Sequence, residues 1–518
     1  MEPRRGYRWL ARVDALANRI HTSRHNPLYH SGAITVGLLG VLLVTGVYLL
    51  LFYRLGAPYT SVARLNEQAL AGRWIRALHR FASDAALVAA GVHAVRMYVQ
   101  RRTWGPRALA WVSGLVLVGV ILVTGWTGYV LVWDTHAQLL AAEGARLLDA
   151  LPLFTEPLSR SFSGDAEPPH AFFFVNLFAH IALPLSIALL LWVHVARVAR
   201  PVLLPSRPVL WGSIAALTVA AVVWPLPMAA PADLLRVPSD VPLDWFFGFW
   251  VPITQRMPAG VVWFLGVAIA GALVAVPWLT RPRTVALPAP AVVDERTCTG
   301  CEQCVHDCPY DAIEMVSRQD DGRRSEFVAR VKTDLCTSCG ICVGSCPPMA
   351  ISALGFSGRD QLADVRAFLA TEKPAEDDVV IVGCSWSAAA GEAARSGARL
   401  FSVPCVGSLH SSTVETLIRG GAGGVLVVGC PEHDGRTREG VTWADARLFH
   451  GRMADLKDRV DRNRLRLVQA NIGEGVELHA AVTAFRDQIN ALPGDDEEDV
   501  NIIALCQARQ NDEPAEVS

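Results

Sequence analysis

Four histidines share one spacing. His79 and His93 stand fourteen residues apart in WIRALHRFASDAALVAAGVHAVRMYV, and His180 and His194 stand fourteen apart in HIALPLSIALLLWVH. On a helix that interval is just under four turns and roughly 21 Å of rise, so each pair lies nearly on one face at two heights. An imidazole in an apolar segment is costly unless it meets a partner, a cofactor or water. Two helices running the same way oppose His79 to His180 and His93 to His194. Paired imidazoles at two heights are what two bis-histidine b-type hemes need. Gly32 and Gly46 on one segment, and Gly114 and Gly128 on another, repeat the fourteen-residue interval. Absent side chains at those heights leave room for flat macrocycles.

Eight of the twelve cysteines form two runs, Cys298, Cys301, Cys304, Cys308 and Cys336, Cys339, Cys342, Cys346, each followed by proline. C-x2-C-x2-C-x3-C-P written twice resembles the bacterial two-cluster ferredoxins, in which the fourth cysteine of each run serves the other cluster. That resemblance implies one [4Fe–4S] cluster on Cys298, Cys301, Cys304 and Cys346. It implies a second on Cys336, Cys339, Cys342 and Cys308. Three more cysteines, Cys384, Cys405 and Cys430, each end a β-branched run (VVIVGC, LFSVPC, GVLVVGC). With RLRLVQANI as a fourth strand and helical segments between, the alternation predicts an open parallel α/β sheet. Its strand ends converge on a ligand crevice, which places the three thiols together. Cys506 reads as a plain buried thiol.

The elements that position these groups are of two kinds. Of 518 residues, 52% are hydrophobic and only 19% charged, and mean hydropathy is +0.30, which suits a chain that is part membrane and part soluble. A net charge of −2 gives no reason to expect nucleic acid. Apolar runs near 30–53, 81–100, 108–133, 171–196, 208–229 and 259–280 predict six transmembrane helices. The basic, amphipathic N-terminus (MEPRRGYRWLARVDALANRIH) reads as a surface helix on the cytoplasmic face, not as a signal peptide. With that end inside, Arg96, Arg101, Arg102, Arg107, Arg197, Arg200 and Arg207 fall on the inner side. Arg54, Arg64, Arg73 and Arg76 lie outside and blur the rule. Six spans return the chain to the cytoplasm near Arg281 and Arg283.

Residues 1–285 resemble the cytochrome b subunit of quinol-oxidising bc-type complexes. The resemblance rests on WIRALH, HAVR, HIALP with Pro184, and GYVLVW at 128–133. It implies that His79 and His180 hold a low-potential heme near the outer face. His93 and His194 would hold a high-potential heme near the inner face, with Arg76 and Arg96 neutralising propionates. The family's outer quinol motif, Pro-Glu-Trp-Tyr, aligns with Leu243, Asp244, Trp245 and Phe246. Asp244 would take the quinol proton beside Trp245, and partial burial would raise its pKa. The departures at Leu243 and Phe246 leave open a degenerate pocket. The span from Trp133 to Pro152 matches the helix that floors this pocket. The family's last two helices are absent, and His30 stands where a related branch attaches a further heme through cysteine.

Residues 380–490 resemble the iron–sulfur (delta) subunit of methyl-viologen-reducing, heterodisulfide-reductase-linked hydrogenases. That implies a [2Fe–2S] cluster on Cys384, Cys405 and Cys430 and transfer to a flavoprotein of the heterodisulfide-reductase type. Two departures matter: Cys384-Ser385-Trp386-Ser387 replaces Cys-x-Trp-Cys, and no cysteine lies near Gly435. The fourth ligand is then His433, Asp434 or Ser387, or the cluster is lost. The fold class expected is mixed: a six-helix transmembrane di-heme bundle, a ferredoxin-like α+β domain, and an open parallel-sheet α/β domain. The boundaries are 1–285, 286–356, a charged linker at 357–377, 378–495, and an acidic tail at 496–518. No P-loop or dinucleotide fingerprint is present. The expected function is a membrane subunit of a quinone-linked oxidoreductase in the inner (cytoplasmic) membrane. It would link quinone, two hemes and iron–sulfur clusters to a cytoplasmic flavoprotein, dehydrogenase or hydrogenase module. A homodimer through the cytochrome b part is compatible. The alternatives are a redox-relay anchor without quinone chemistry and a bc complex with a Rieske partner.

Overall fold

The computed structural model describes residues 5–152, 156–162, 170–196, 201–236, 241–242, 244–281, 289–319, 325–353, 355–435, 437 and 439–492. Arg197, Arg200, Leu243, Arg283, Cys506 and the 496–518 tail lie outside them.

The first part is helical: α1 (Arg5–His25), α2 (Ser31–Phe52), α3 (Pro58–Glu67), α4 (Gly72–Val99), α5 (Ala108–Val130), α6 (Thr135–Asp149), α7 (His170–Ala196), α8 (Arg207–Val223), α9 (Val251–Thr254) and α10 (Ala259–Leu279). Helices α2, α5, α7 and α10 are long and apolar enough to cross a membrane. Helix α4 has the length, at 28 residues, but carries Arg73, Arg76, Arg80, Asp84 and Arg96. Helix α8 has 17 residues. The apolar run there extends to residue 229, but Pro225 and Pro227 supply no N–H donors and bias the residues before them to extended backbone, so the helix stops at Val223. Helix α2 packs on α4, and α5 on α7. Leu43, Val44 and Leu51 of α2, Phe174, Phe178 and Leu185 of α7, and Phe264 and Val267 of α10 face outward. Such an apolar belt suits hydrocarbon rather than water.

Helix α1 departs from a simple surface helix. Trp9, Leu16 and Ile20 are exposed on one face, whereas Tyr7, Leu10, Ala11 and Ala15 are buried on the other. Its buried face meets protein on both sides.

The second part follows with β1 (Val292–Val293), α11 (Gln303–His306), β2 (Ile313–Ser317), β3 (Phe327–Val331), α12 (Ile341–Gly344), β4 (Ile351–Ala353) and β5 (Phe356–Ser357). Strands β2 and β3 pair antiparallel with Ile313 opposite Val331, and β4 lies between β1 and β5. Left-handed backbone recurs at Gly300, Glu302 and Asp311 and again at Ser338, Gly340 and Met349. The two sets have the same interval as Cys298 and Cys336, so two copies of one cysteine-bearing loop wrap the core.

Residues expected as a linker form α13 (Gly358–Glu372), capped by reciprocal bonds between Ser357 and Asp360. Leu362, Val365, Phe368 and Leu369 lie on one helical face and pack into the third part's core. The charges around them masked that stripe.

The third part alternates β6 (Val379–Gly383), α14 (Ala389–Ser396), β7 (Arg399–Ser402), α15 (Ser411–Arg419), β8 (Gly424–Gly429), α16 (Gly440–Phe449), β9 (Leu465–Gln469) and α17 (Gly475–Asn490). The strand order is β7-β6-β8-β9, all parallel. The central strands β6 and β8 are buried throughout, as continuous apolar runs in a doubly covered sheet should be.

Candidate functional site

The helix pairing brings the four histidines together two by two. The rings of His79 and His180 stand 6.3 Å apart between centroids, inclined at 59°. A metal–imidazole bond is about 2 Å, so the gap admits one metal ion between two ring nitrogens. His93 and His194 lie within electrostatic range of each other. A Cβ on Gly32 would meet the His93 ring at 2.9 Å, on Gly46 His79 at 3.3 Å, on Gly114 His194 at 3.1 Å, and on Gly128 His180 at 2.7 Å. The glycines therefore clear space for the imidazoles as well as for anything between them.

Hydroxyls hold the rings. Thr45 Oγ1 donates to the Val41 carbonyl at 2.7 Å and so accepts from Nδ1–H of His79 at 2.8 Å. Nδ1–H of His180 donates to the Thr124 carbonyl at 2.9 Å, with Thr127 Oγ1 3.2 Å away. Ser113 Oγ lies 3.1 Å from Nδ1 of His194. With Nδ1 carrying the proton, Nε2 is the bare nitrogen that a metal requires. Each of the four glycines is preceded by a hydroxyl residue (Ser31, Thr45, Ser113, Thr127), a repeated Ser/Thr-Gly signal that the reading of histidines and glycines passed over.

The two arginines part company. Arg76 reaches the carbonyls of Pro227 at 3.2 Å and Leu226 at 3.4 Å, and its buried Nε has no partner among the described residues. That orphaned donor fits a carboxylate such as a propionate. Arg96 does not fit one. Its guanidinium is buried against Asp14 at 2.7 Å and against Asp434, because α1 and the third part close over this end of α4.

Asp244 also departs from expectation. Its Oδ1 accepts from the backbone N–H groups of Phe246 at 2.9 Å, Phe247 at 2.5 Å and Gly248 at 3.1 Å. Its Oδ2 accepts from Arg80 at 2.5 Å and from the Tyr129 hydroxyl. Burial pushes this carboxyl up, but the Tyr129 hydroxyl, the backbone donors and Arg80 outweigh it and hold the pKa below the usual carboxylate range. The expected upward shift is thus reversed. Trp245 is 77% exposed. Arg80 and Tyr129 went unnoticed in the sequence, although they adjoin His79 and Gly128. The helix expected between Trp133 and Pro152 is α6, capped by the Asp134 side chain.

The ferredoxin thiols fall into two groups, each joining cysteines of one run to a cysteine of the other. Cys308 lines one cavity with Cys336, Cys339 and Cys342. Cys304 and Cys346 each interact with Cys298 and Cys301. Burial, reinforced by neighbouring thiols, pushes Cys304 and Cys339 up to about 12, so binding iron here means expelling protons. Among the described residues no three His, Cys, Asp or Glu side chains are grouped for a single metal ion.

Cys384, Cys405 and Cys430 line one cavity, together with Trp386, Gly435 and Thr437. The Cys430 thiol hydrogen-bonds Cys384 and, despite burial, draws its pKa down to about 7. None of the three expected fourth ligands lines this cavity. His433 packs on His30, ring centroids 4.7 Å apart. Asp434 is bound by Arg96 and by Gln100 at 2.5 Å. Ser387 Oγ donates to the Cys384 carbonyl at 2.9 Å. Thr437 lies within the cavity, its Oγ1 2.9 Å from Cys405 Sγ.

Three stretches of the chain match family models: residues 16–200 "Cytochrome b/b6/petB", residues 297–350 "4Fe-4S dicluster domain", and residues 379–493 "Methyl-viologen-reducing hydrogenase, delta subunit". The menaquinol:cytochrome c reductase cytochrome b subunit of Geobacillus thermodenitrificans is 25% identical over 177 residues, 33% of this chain and 79% of the relative. That of Bacillus subtilis (strain 168) is 25% identical over 142 residues, 27% of this chain and 63% of the relative. Cytochrome b of Acanthamoeba castellanii is 30% identical over 175 residues, 33% of this chain and 44% of the relative. A solved structure titled "Hyperthermophilic respiratory Complex III" aligns with a TM-score of 0.39 and 17% identity, over 49% of this chain and 75% of that one.

Proposed function

We propose that this chain is a membrane electron-transfer subunit of a quinone-linked complex, with two b-type hemes and two [4Fe–4S] clusters. Six helices (α2, α4, α5, α7, α8 and α10) would cross the inner membrane, leaving the iron–sulfur parts in the cytoplasm. The observation that carries this reading is the opposition of His79 to His180, with Nδ1 of each held and a glycine clearing each ring. Bound hemes and clusters would supply one-electron storage. The protein's part is to fix ring tautomers, exclude side chains beside the rings, and keep the thiols buried in their gaps. Arg76 would meet a heme propionate near the outer face. A soluble partner, a flavoprotein of the heterodisulfide-reductase type or a dehydrogenase or hydrogenase module, would perform the substrate chemistry, and a homodimer through the helical part is compatible.

Quinone would be the membrane substrate. The low pKa of Asp244 and the exposure of Trp245 favour a second reading of that site, in which Asp244 anchors the loop and no quinol proton passes through it. Purified full-length protein tests both. Pyridine hemochrome analysis should give two b hemes per chain, and menaquinol should reduce them. Absence of heme overturns the first reading. If Asp244→Asn slows quinol-driven heme reduction about tenfold or more with both hemes retained, the anchor reading fails; an unchanged rate removes Asp244 from quinol oxidation.

A further inference from the structure

The order of parts along the chain (helices, ferredoxin, third part) suggests that the cavity of Cys384, Cys405 and Cys430 ends the relay. Its surroundings place it elsewhere. On one wall, Cys384 and Cys430 share a buried cluster with Tyr7 and Trp386, against which Val99 and Ile472 pack. Val99 closes α4 six residues past His93, roughly 9 Å of helix rise. Asp434, four residues past Cys430, binds Arg96 and Gln100 of the same helix end.

On the other wall, the loop after Cys405 meets the ferredoxin part. Arg447, fully buried, donates to the Gly407 carbonyl at 2.8 Å and to Ser345 Oγ at 2.9 Å. A Cβ on Gly344 would stand 2.9 Å from the Gly407 carbonyl oxygen. Cys339 lies within electrostatic reach of Cys405. The residues that wall the cavity therefore pack on the end of α4, which carries His93, and on the loop of the ferredoxin part that carries Cys339 and Cys342.

The donor set closes as well. Gly435 offers the cavity no side chain, and Thr437 Oγ1 sits 2.9 Å from Cys405 Sγ. A hydroxyl oxygen is a harder ligand than a thiolate but can complete a site of three sulfurs.

We propose that Cys384, Cys405, Cys430 and Thr437 hold the relay's middle centre, between the His93–His194 heme and the Cys308, Cys336, Cys339, Cys342 cluster. The Cys298, Cys301, Cys304, Cys346 cluster is then the outlet to the soluble partner. This rests on the reading that the hemes and the two ferredoxin clusters are bound. Each transfer moves one electron: the donor centre is oxidised by one unit, the acceptor reduced by one, and no bond is made or broken.

The test uses the full-length protein in detergent, reconstituted anaerobically with ferrous iron and sulfide. The wild type should contain more non-heme iron and acid-labile sulfide than the two ferredoxin clusters account for, and dithionite should develop a third EPR signal. Cys405→Ala should lose that signal while keeping both hemes and both [4Fe–4S] signals. In the same variant, electron exchange between reduced clusters and oxidised hemes, followed by heme absorbance in stopped flow, should slow about tenfold or more. Thr437→Cys should keep the third signal with shifted g-values, and Thr437→Ala should weaken or abolish it. Unchanged exchange in Cys405→Ala overturns the placement. A third signal identical in Thr437→Ala and the wild type removes Thr437. Absence of heme or of [4Fe–4S] signals from the wild type overturns instead the reading on which the proposal rests.

Discussion

A Cβ on Gly128 would stand 2.7 Å from Cε1 of His180, while Nδ1 of that ring donates to the Thr124 carbonyl at 2.9 Å. The ring is held from one side and cleared on the other, so neither it nor the helix backbone can give way cheaply. If the proposed hemes are bound, Gly128→Val should therefore cost the one between His79 and His180 and spare the one between His93 and His194. Heme content falling from two to one checks this; two hemes with an unaltered spectrum contradict it.

Thr45→Val keeps the shape of the side chain and removes only the acceptor for Nδ1 of His79. The heme should stay, its midpoint potential should shift, and the fold should lose about 1 kcal/mol. A redox titration beside a thermal melt measures both. An unchanged potential would show that the bond does not orient the ring.

Asp244 is held ionised by Tyr129, backbone donors and Arg80, so its folded pKa lies below the unfolded one. Its stabilisation is present above the ordinary carboxylate pKa and is lost as pH falls through the folded value. Asp244→Asn should lower the melting temperature at neutral pH, and the gap from the wild type should close in acid. A gap independent of pH would mean that charge is not the cause.

Arg96 neutralises two buried carboxylates, one on α1 and one on the loop after Cys430. Burial already pushes Asp14 up to about 6, against the pull of Arg96. Arg96→Met leaves both acids uncompensated, a cost of roughly 3–5 kcal/mol, and should loosen the third part from the helices. Limited proteolysis should then release that part, and adding Asp434→Asn should restore part of the loss. Wild-type resistance in Arg96→Met would show that other contacts hold the interface.

Cys346 ends the second cysteine run but interacts with Cys298 and Cys301 of the first. Cys346→Ser should alter the EPR signal of the cluster on the first run and leave the other as it is. An altered signal from the cluster on Cys336, Cys339 and Cys342 would reverse the assignment.

Much of the site was legible in the sequence because its signals are short-range. Histidines and glycines fourteen apart state a helix face, cysteines three apart state a tight loop that gathers thiols, and β-branched runs ending in cysteine state a parallel sheet. The helix over 358–372 reads as a linker in the sequence, because the surrounding charges hide the stripe of Leu362, Val365, Phe368 and Leu369. Only the tertiary structure decided the fates of Arg96, Asp244 and the third cavity. Arg96 and Asp434 are 338 residues apart, and no local period records which carboxylate meets which guanidinium. Asp244 reads as a lone acid until Arg80 and Tyr129 arrive from two other helices. A pKa, and the neighbours a cavity touches, belong to charges and surfaces brought together in space.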